Sequence, residues 1–455
     1  MHDVVVVGGG NAALCAALSA CAAGASVLML ERASLHDRGG NSRHTRDMRC
    51  VSEEFGYTEQ DMLAELTSVS GESMDRELAT IAVEGSREAP AWMESMGVRW
   101  QPALRGTLGL HGTNRFYLGG GKALINIYYA RARALGIDVE YGMRVDDVLI
   151  DKARTDGVLA TDATGVTRNF GARAVVVASG GFDANIEWLR GRWGDAADNF
   201  IVRGSPLNDG RVLSALLGHG ARERGNPHGF HATAVDARSP RADGGIVTRV
   251  DSIPLGIAVD SAGRRFYDEG EELWPKRYAV WGGLIAQRPD QLAYTVFDAK
   301  AWGKFIPSVY PPFASDTLGG LAEQLGLPPN ALEQTVTDFN AAASPASPDC
   351  TQSRLDGHAT TDLTPPKSNW AHPIDTAPYR AYPLRPGITF TYLGVAVDKT
   401  ARVLADNGRP FENLFAAGEV MAGNILRKGY LAGFGMTIGT VFGRLAGAGA
   451  ARAAR

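Results

Sequence analysis

The chain opens on an unbroken apolar run, DVVVV at 3–7. A continuous β-branched stretch predicts a strand buried on both faces of a parallel sheet. The pattern then changes to GGGNAALCAALSACAAGA and on to SVLMLE. That order predicts a tight glycine turn, a helix and a second buried strand. RAVVVASGG (173–181) and NLFAAGE (413–419) predict two more buried strands that end in small residues. Between 58 and 97, apolar positions recur at mixed three- and four-residue spacing, which predicts helix with Gly97 as its stop. GGGKALINIYYARARALG (119–136) predicts a helix entered through glycine, and IDVEYGMRVDDVLID (137–151) alternates as strands do. NDGRVLSALLGHGA (208–221) predicts a turn running into a helix, and SPASPDCTQS (344–353) an exposed loop. Together these predict an α/β fold, a Rossmann-like domain at 1–225 and 366–455 interrupted by an α+β capping domain at 226–365.

Composition narrows the function. The 455 residues are 45% hydrophobic and 21% charged, with a net charge of -4 and no block of like charges. Broad affinity for nucleic acid is therefore not expected, and an anionic ligand needs a local positive pocket. Cys15, Cys21, Cys50 and Cys350 show neither CxxC nor metal-ligand spacing, so no metal site is expected and a reducing, cytoplasmic setting is. Among the 55 glycines are the runs GGG at 8–10 and 119–121 and GG at 39–40 and 180–181, as where backbone approaches a ligand.

The sharpest motif is Gly8-x-Gly10-x-x-Ala13 between the first strand and its helix, followed by Glu31 at the end of the second strand. The first glycine permits the turn, the second lets a pyrophosphate approach, the small third residue lets helix and strand pack, and the acid accepts ribose hydroxyls. The strand ending in Gly418-Glu419 returns to the nucleotide from more than 400 residues away, which suits the longer FAD rather than NAD. Glu419 is then placed to bond the ribityl chain.

With those segments the chain resembles the fumarate reductase/succinate dehydrogenase flavoprotein superfamily, and within it the FAD-dependent tricarballylate dehydrogenases. The resemblance rests on GGGNAALCAAL, GGNSRHTRDMRC, RRFYDEGEELWPKRYAVWG, LRPGITFTYLGVAVD and NLFAAGEVMAGNILRKGYLAGFGMTIGT. It implies a cofactor site built from Gly8, Gly10, Asn11, Ala12, Glu31, Arg32, Gly40, Asn41, Ser42, Val145, Gly180, Asp209, Gly418, Glu419, Gly433 and Thr437, with Ser42 toward the pyrophosphate. His44 stands one position later than the histidine that carries covalent flavin in succinate dehydrogenases, so non-covalent FAD is expected. The resemblance also implies that Arg277, in ELWPKRYAVWG, moves a proton at the substrate carbon. Tyr278 is its rival, because a phenolate is an easier base than a guanidinium. Without the resemblance, Lys276 and Arg277 would read equally well as cations snorkelling along apolar neighbours. His231 resembles the superfamily histidine that hydrogen-bonds a substrate carboxylate.

The departures bear on substrate. Phe390 and Tyr430 stand where fumarate reductases bind substrate through a histidine and an arginine, and Tyr430 with its following glycines resembles the ketosteroid dehydrogenases. For a tricarboxylate the cation candidates are Arg115, Arg249, Arg385, Arg427 and Lys428, with Arg385 and Lys428 preferred because each adjoins an expected turn; Thr391 and Tyr430 complete the expected contacts. The expected reaction is oxidation of tricarballylate to cis-aconitate. The alternatives are a 3-ketosteroid Δ1-dehydrogenase or fumarate/succinate-type enzyme and, in another class, a non-catalytic nucleotide-fold scaffold. With no iron–sulfur cysteine pattern, a separate acceptor is implied: a membrane-bound iron–sulfur/haem protein, holding the chain at the inner membrane face.

Overall fold

The computed structural model describes residues 1–102, 107–343 and 352–455. Cys350 and most of the loop expected at 344–353 lie outside them. Two sheets organise the described residues. The larger, eight-stranded one runs in the order Arg402–Leu404, Pro410–Ala416, Thr167–Val177, His2–Val7, Val27–Glu31, Asp138–Tyr141. His2–Val7 lies inside it, parallel to both neighbours, with Val4 registered on Val27 on one side and Ala174 on the other. Val4, Val5 and Val6 are fully buried. A strand flanked on both edges and covered on both faces leaves no position for a polar side chain, hence the unbroken run. An antiparallel hairpin, Arg144–Asp151 with Arg154–Thr161, continues the sheet from Thr167–Val177.

Helices Asn11–Ala22 and Phe434–Ala453 pack on each other through small residues. A Cβ at Gly443 would lie 2.6 Å from the carbonyl oxygen of Ala12, and one at Gly447 only 2.1 Å from that of Ala16. These glycines let the backbones touch, so the last helix lies against the first despite their separation in sequence. The segment expected to be helical from 58 onward is two helices, Glu59–Ser70 and Arg76–Ser95. Thr58 and Asp61 form a capping box on the first, Gly71 ends it, and Asp75 caps the second.

The smaller sheet has six strands, with Glu223–Asp236, Tyr379–Val395, Ala293–Phe297 and Ile257–Asp260 as its antiparallel core. Ile201–Val202 joins Tyr379–Val395 in parallel. Its pairing crosses both expected domain boundaries, since 201–202 and 223 onward enter from one side and 379–395 from the other. The turn expected at Pro386-Gly387 is absent: Tyr379–Val395 is one strand of 17 residues. Pro386 sits opposite Ala234 and Gly387 opposite Thr233, where Val235 would crowd a Cβ to 2.3 Å. A separate apolar core that includes Val259, Val296, Leu321, Leu332 and Phe339 lies under this sheet.

Candidate active site

One cavity opens at the carboxyl ends of the parallel strands and extends to the smaller sheet. This is the place where an open α/β sheet binds its ligand. At the sheet end, Gly8 takes φ +109°, and a Cβ there would lie 2.5 Å from the carbonyl oxygen of Ala178. Glu31 closes the second strand fully buried, its Oε1 accepting from the Ala33 amide at 2.7 Å. Burial raises its carboxyl above the usual range, against the backbone amides of Ala33 and Gly39 and the Tyr129 hydroxyl, which favour the anion. Ser42 Oγ accepts from the Asn11 amide at 3.0 Å, at the start of the first helix. Arg32 lies 2.7 Å from Asp209 Oδ2.

Two helix N-termini line this cavity. The helix after Gly10 and the helix after Gly433 both lack acidic residues in their first turns and a capping bond from the N-cap side chain. Their partial positive charge is free for an anionic group such as a pyrophosphate.

Midway along stands a buried cluster of two carboxyls. Asn41 Nδ2 donates to both oxygens of Asp183, at 3.3 and 3.2 Å, and to the Thr389 carbonyl at 2.7 Å. Asn208 Nδ2 donates to Asp183 Oδ1 and, at 3.2 Å, to Glu419 Oε2. Glu419 Oε1 accepts from the amide and hydroxyl of Thr391 at 2.8 and 3.1 Å. Burial raises both carboxyls, and the Asp183 charge raises Glu419 further, so the pair retains a proton into the range where exposed carboxyls have lost theirs.

The far end is cationic and aromatic. Arg46, Arg203, Arg249, His231, Tyr278, Phe390 and Tyr430 all line it. Arg249 is compensated: its Nε lies 2.7 Å from Asp251 Oδ1, and its Nη2 donates to Oδ2 at 2.9 Å. Arg203 is not. Its Nε donates to Thr389 Oγ1 at 2.8 Å, and its buried Nη1 has no partner. Burial, then the Arg249 charge, lower Arg203 to about 10, so it is still a cation at neutral pH. His231 lies between the Tyr278 and Tyr430 rings, with centroids at 5.3 and 4.3 Å. Burial and the two arginines push it well below its usual range, so it is a neutral imidazole, and its Nε2 has no partner. Burial pushes Tyr278 up to about 12, against the pull of the Arg249 guanidinium 4.7 Å above its ring and of Arg203.

Of the cofactor residues expected from sequence, all but Thr437 line the cavity; Thr437 is buried beside it and donates to the Arg49 carbonyl. His231, Tyr278 and Tyr430 line the far end. Arg277 does not: it pairs with Glu271 and donates to the Tyr267 hydroxyl at 3.2 Å. The chain passes from the α-helical turn Trp274–Arg277 into the 3-10 turn Tyr278–Val280, so adjacent residues face different ways. Of the expected cations only Arg249 lines the cavity; Arg115, Arg385, Arg427 and Lys428 do not. Arg385 donates to the Asp290 carbonyl at 2.8 Å, Lys428 is exposed, and Arg115 lines a separate depression with Cys50. Thr391 serves Glu419 rather than the cavity. Arg46, Arg203, Asp183 and Asn208 were not picked out by the sequence. The one hint for Arg203 is a lone cation directly after the β-branched pair Ile201–Val202.

The buried acid at the second strand, the paired helix N-termini and the glycine-lined floor fit FAD. Residues 3–433 match the FAD binding domain family. The chain is 27% identical over 99% of its length to a probable fumarate reductase, Ifc3, of Shewanella frigidimarina, covering 75% of that protein. It is 27% identical over 99% of its length to a urocanate reductase of Eggerthella lenta, covering 74% of it. Among solved structures, the 3-ketosteroid-Δ4-(5α)-dehydrogenase of Rhodococcus jostii superposes with a TM-score of 0.75 at 25% identity, over 99% of this chain and 96% of that one.

Proposed function

The chain belongs to the FAD binding domain family and is an FAD-dependent oxidoreductase related to fumarate reductases, and on that premise we propose that it oxidises a small polycarboxylate, tricarballylate to cis-aconitate. The observation that carries this reading is Arg203, a buried cation without an acid partner at the end of the cofactor cavity. Beside it stand Arg46, Arg249 and the unpartnered His231 Nε2. An apolar ketone would leave that charge uncompensated, whereas a carboxylate supplies the missing acceptor through charge-assisted bonds worth roughly 1.5–3 kcal/mol each.

Forming the double bond removes a hydride from one carbon and a proton from its neighbour. FAD, when bound, supplies the hydride acceptor. Tyr278 is the group we assign to the proton: its phenol lines the cavity, and Arg249 and Arg203 reduce the cost of the phenolate. Arg203 and the His231 imidazole hold and orient carboxylates. Phe390 and Tyr430 cover the same end and exclude water. FAD is held non-covalently in this reading, since His44 stands one position later than the histidine that carries covalent flavin in succinate dehydrogenases. Electrons then pass to a separate membrane-bound iron–sulfur/haem protein, which places the chain at the cytoplasmic face of the membrane.

The test is an anaerobic titration of the FAD-loaded protein with tricarballylate, succinate and a 3-ketosteroid in parallel, read at the flavin absorption band. Bleaching by tricarballylate that slows by about 100-fold or more in Tyr278→Phe with FAD retained, and less in Arg277→Ala, is the expected result. Stronger bleaching by the steroid, a reading that Tyr278, Tyr430 and Phe390 favour, overturns the substrate assignment. Greater loss in Arg277→Ala overturns the proton assignment.

A further inference from the structure

Outside the cofactor cavity, Asp356, His358 and His372 form the one group of three or more convergent carboxylate, imidazole or thiol donors among the described residues. None of the three lines the cavity. We propose that they are the ligands of a divalent first-row transition metal of the zinc class, bound on the capping half of the molecule.

The argument starts from Asp356. Its Oδ1 is committed to backbone, accepting from the His358 amide at 3.0 Å and the Trp370 amide at 2.8 Å. That leaves Oδ2, which is hydrogen-bonded to His372 Nε2 at 3.2 Å without an ion and lies 3.3 Å from His358 Nδ1. Ligand atoms bound at the usual distance of about 2.0–2.2 Å from zinc stand roughly 3–3.5 Å apart, so both spacings are those of a shared ion. The three donor atoms all lie within 4.8 Å of one another. His358 Nδ1 is buried yet makes no hydrogen bond, although Oδ2 is within reach. A lone pair directed into a small gap beside a carboxylate oxygen is what a metal ligand presents.

The frame is built before any ion arrives. The Ala371 amide donates to the His358 carbonyl at 2.9 Å, locking the two ligand-bearing segments together. Asn369 accepts from the Gly357 amide and donates to the Gly270 carbonyl, both at 2.8 Å, anchoring that pair to the cap. The bond from the Trp370 amide to Oδ1 fixes the carboxylate, as outer partners of metal-bound carboxylates do. Asp356 and His372 side chains are 10% and 11% exposed and His358 36%, so the ion enters from the His358 side and keeps a position for water there. Two imidazoles and one carboxylate suit zinc, cobalt(II) or nickel(II) and disfavour calcium and magnesium, which take oxygen ligands.

The experiment uses the FAD-loaded protein freed of metal by a chelator and dialysed, then titrated with Zn²⁺ in a calorimeter, with Mg²⁺ as a second titrant. One saturable Zn²⁺ equivalent is expected, with no Mg²⁺ binding. In His358→Ala, the substitution at the most exposed ligand, affinity falls by at least about tenfold. Flavin absorbance and circular dichroism unchanged in that variant show that the fold survives. His372→Asn is the second variant, and His219→Ala, at an unrelated imidazole, leaves Zn²⁺ binding intact. Absence of a saturable equivalent, or an affinity unchanged in both His358→Ala and His372→Asn, overturns the site and leaves a hydrogen-bonded imidazole–carboxylate cluster only.

Discussion

Replacing Gly447 by alanine tests whether backbone contact between the first and last helices holds the cofactor floor together. In a helix interior the exchange alone gains up to about 1 kcal/mol, because glycine loses more freedom on folding. Here the new Cβ would lie 2.1 Å from the Ala16 carbonyl oxygen and 2.8 Å from two further backbone atoms of Ala16. Backbone cannot swing aside as a side chain can, so the helices must part by more than 1 Å to reach ordinary contact. Overpacking a tight interior costs about 1–3 kcal/mol, occasionally more. The contact includes the fully buried Cys15 and Ala16, so the upper part of that range applies and the net loss is about 1–2 kcal/mol. The first turns of the same helices line the cavity, so FAD should also dissociate faster. Gly191, in the helix Ile186–Trp193, has no atom within 4 Å of its ideal Cβ. Gly191→Ala should therefore stabilise by about 0.5 kcal/mol. Urea unfolding of both variants in excess FAD, with flavin fluorescence reporting release, checks the pair. A Gly447→Ala protein as stable as the parent would refute the reasoning, since propensity alone would then govern both sites.

Three further outcomes are expected. Arg203→Gln should weaken tricarballylate binding by about 10- to 100-fold, the loss of one or two charge-assisted bonds, without lowering stability; perturbation of the flavin spectrum by the ligand measures it. Glu31→Gln keeps shape but removes the anionic acceptor, and should weaken FAD by about tenfold in equilibrium dialysis, while the apoprotein gains stability from the loss of a buried carboxylate. The Asp183–Glu419 pair has raised carboxyls, so the folded protein binds a proton that the unfolded chain has released. Its stabilising contribution is full below about pH 4 and declines as pH rises through the raised folded value. Asp183→Asn, which mimics the protonated partner, should flatten that decline; unfolding midpoints at pH 5 and 8 that differ equally in parent and variant would contradict it.

The cofactor half of the site was legible because it is written in contiguous signals. Strand, glycine turn, helix and terminal acid follow each other within 31 residues, and each reports a local constraint. The substrate end was not, because its parts meet only through long-range pairing. Arg203 follows a two-residue strand whose place is fixed by residues 387–388, and no local pattern reveals that partner. Arg385 looked exposed to the cofactor because Pro386-Gly387 reads as a turn; pairing on both edges of Tyr379–Val395 overrides that local preference. Asp183 carries no local signal of its own, and only Glu419, arriving beyond the strand Pro410–Ala416, makes it one of a carboxyl pair.

The join between Trp274–Arg277 and Tyr278–Val280 carries one more consequence. Successive residues there are offered to opposite sides, a guanidinium to Glu271 and a phenol to the cavity. The inward place is therefore defined by chain count rather than by side-chain type. One residue inserted between 271 and 276 would carry Arg277 into the place Tyr278 now holds, exchanging a titrating phenol for a permanently charged guanidinium while the surrounding scaffold stays as it is. In descent, such a length change would convert one proton chemistry to the other in a single step, and an alignment of residue identities without gaps would miss it.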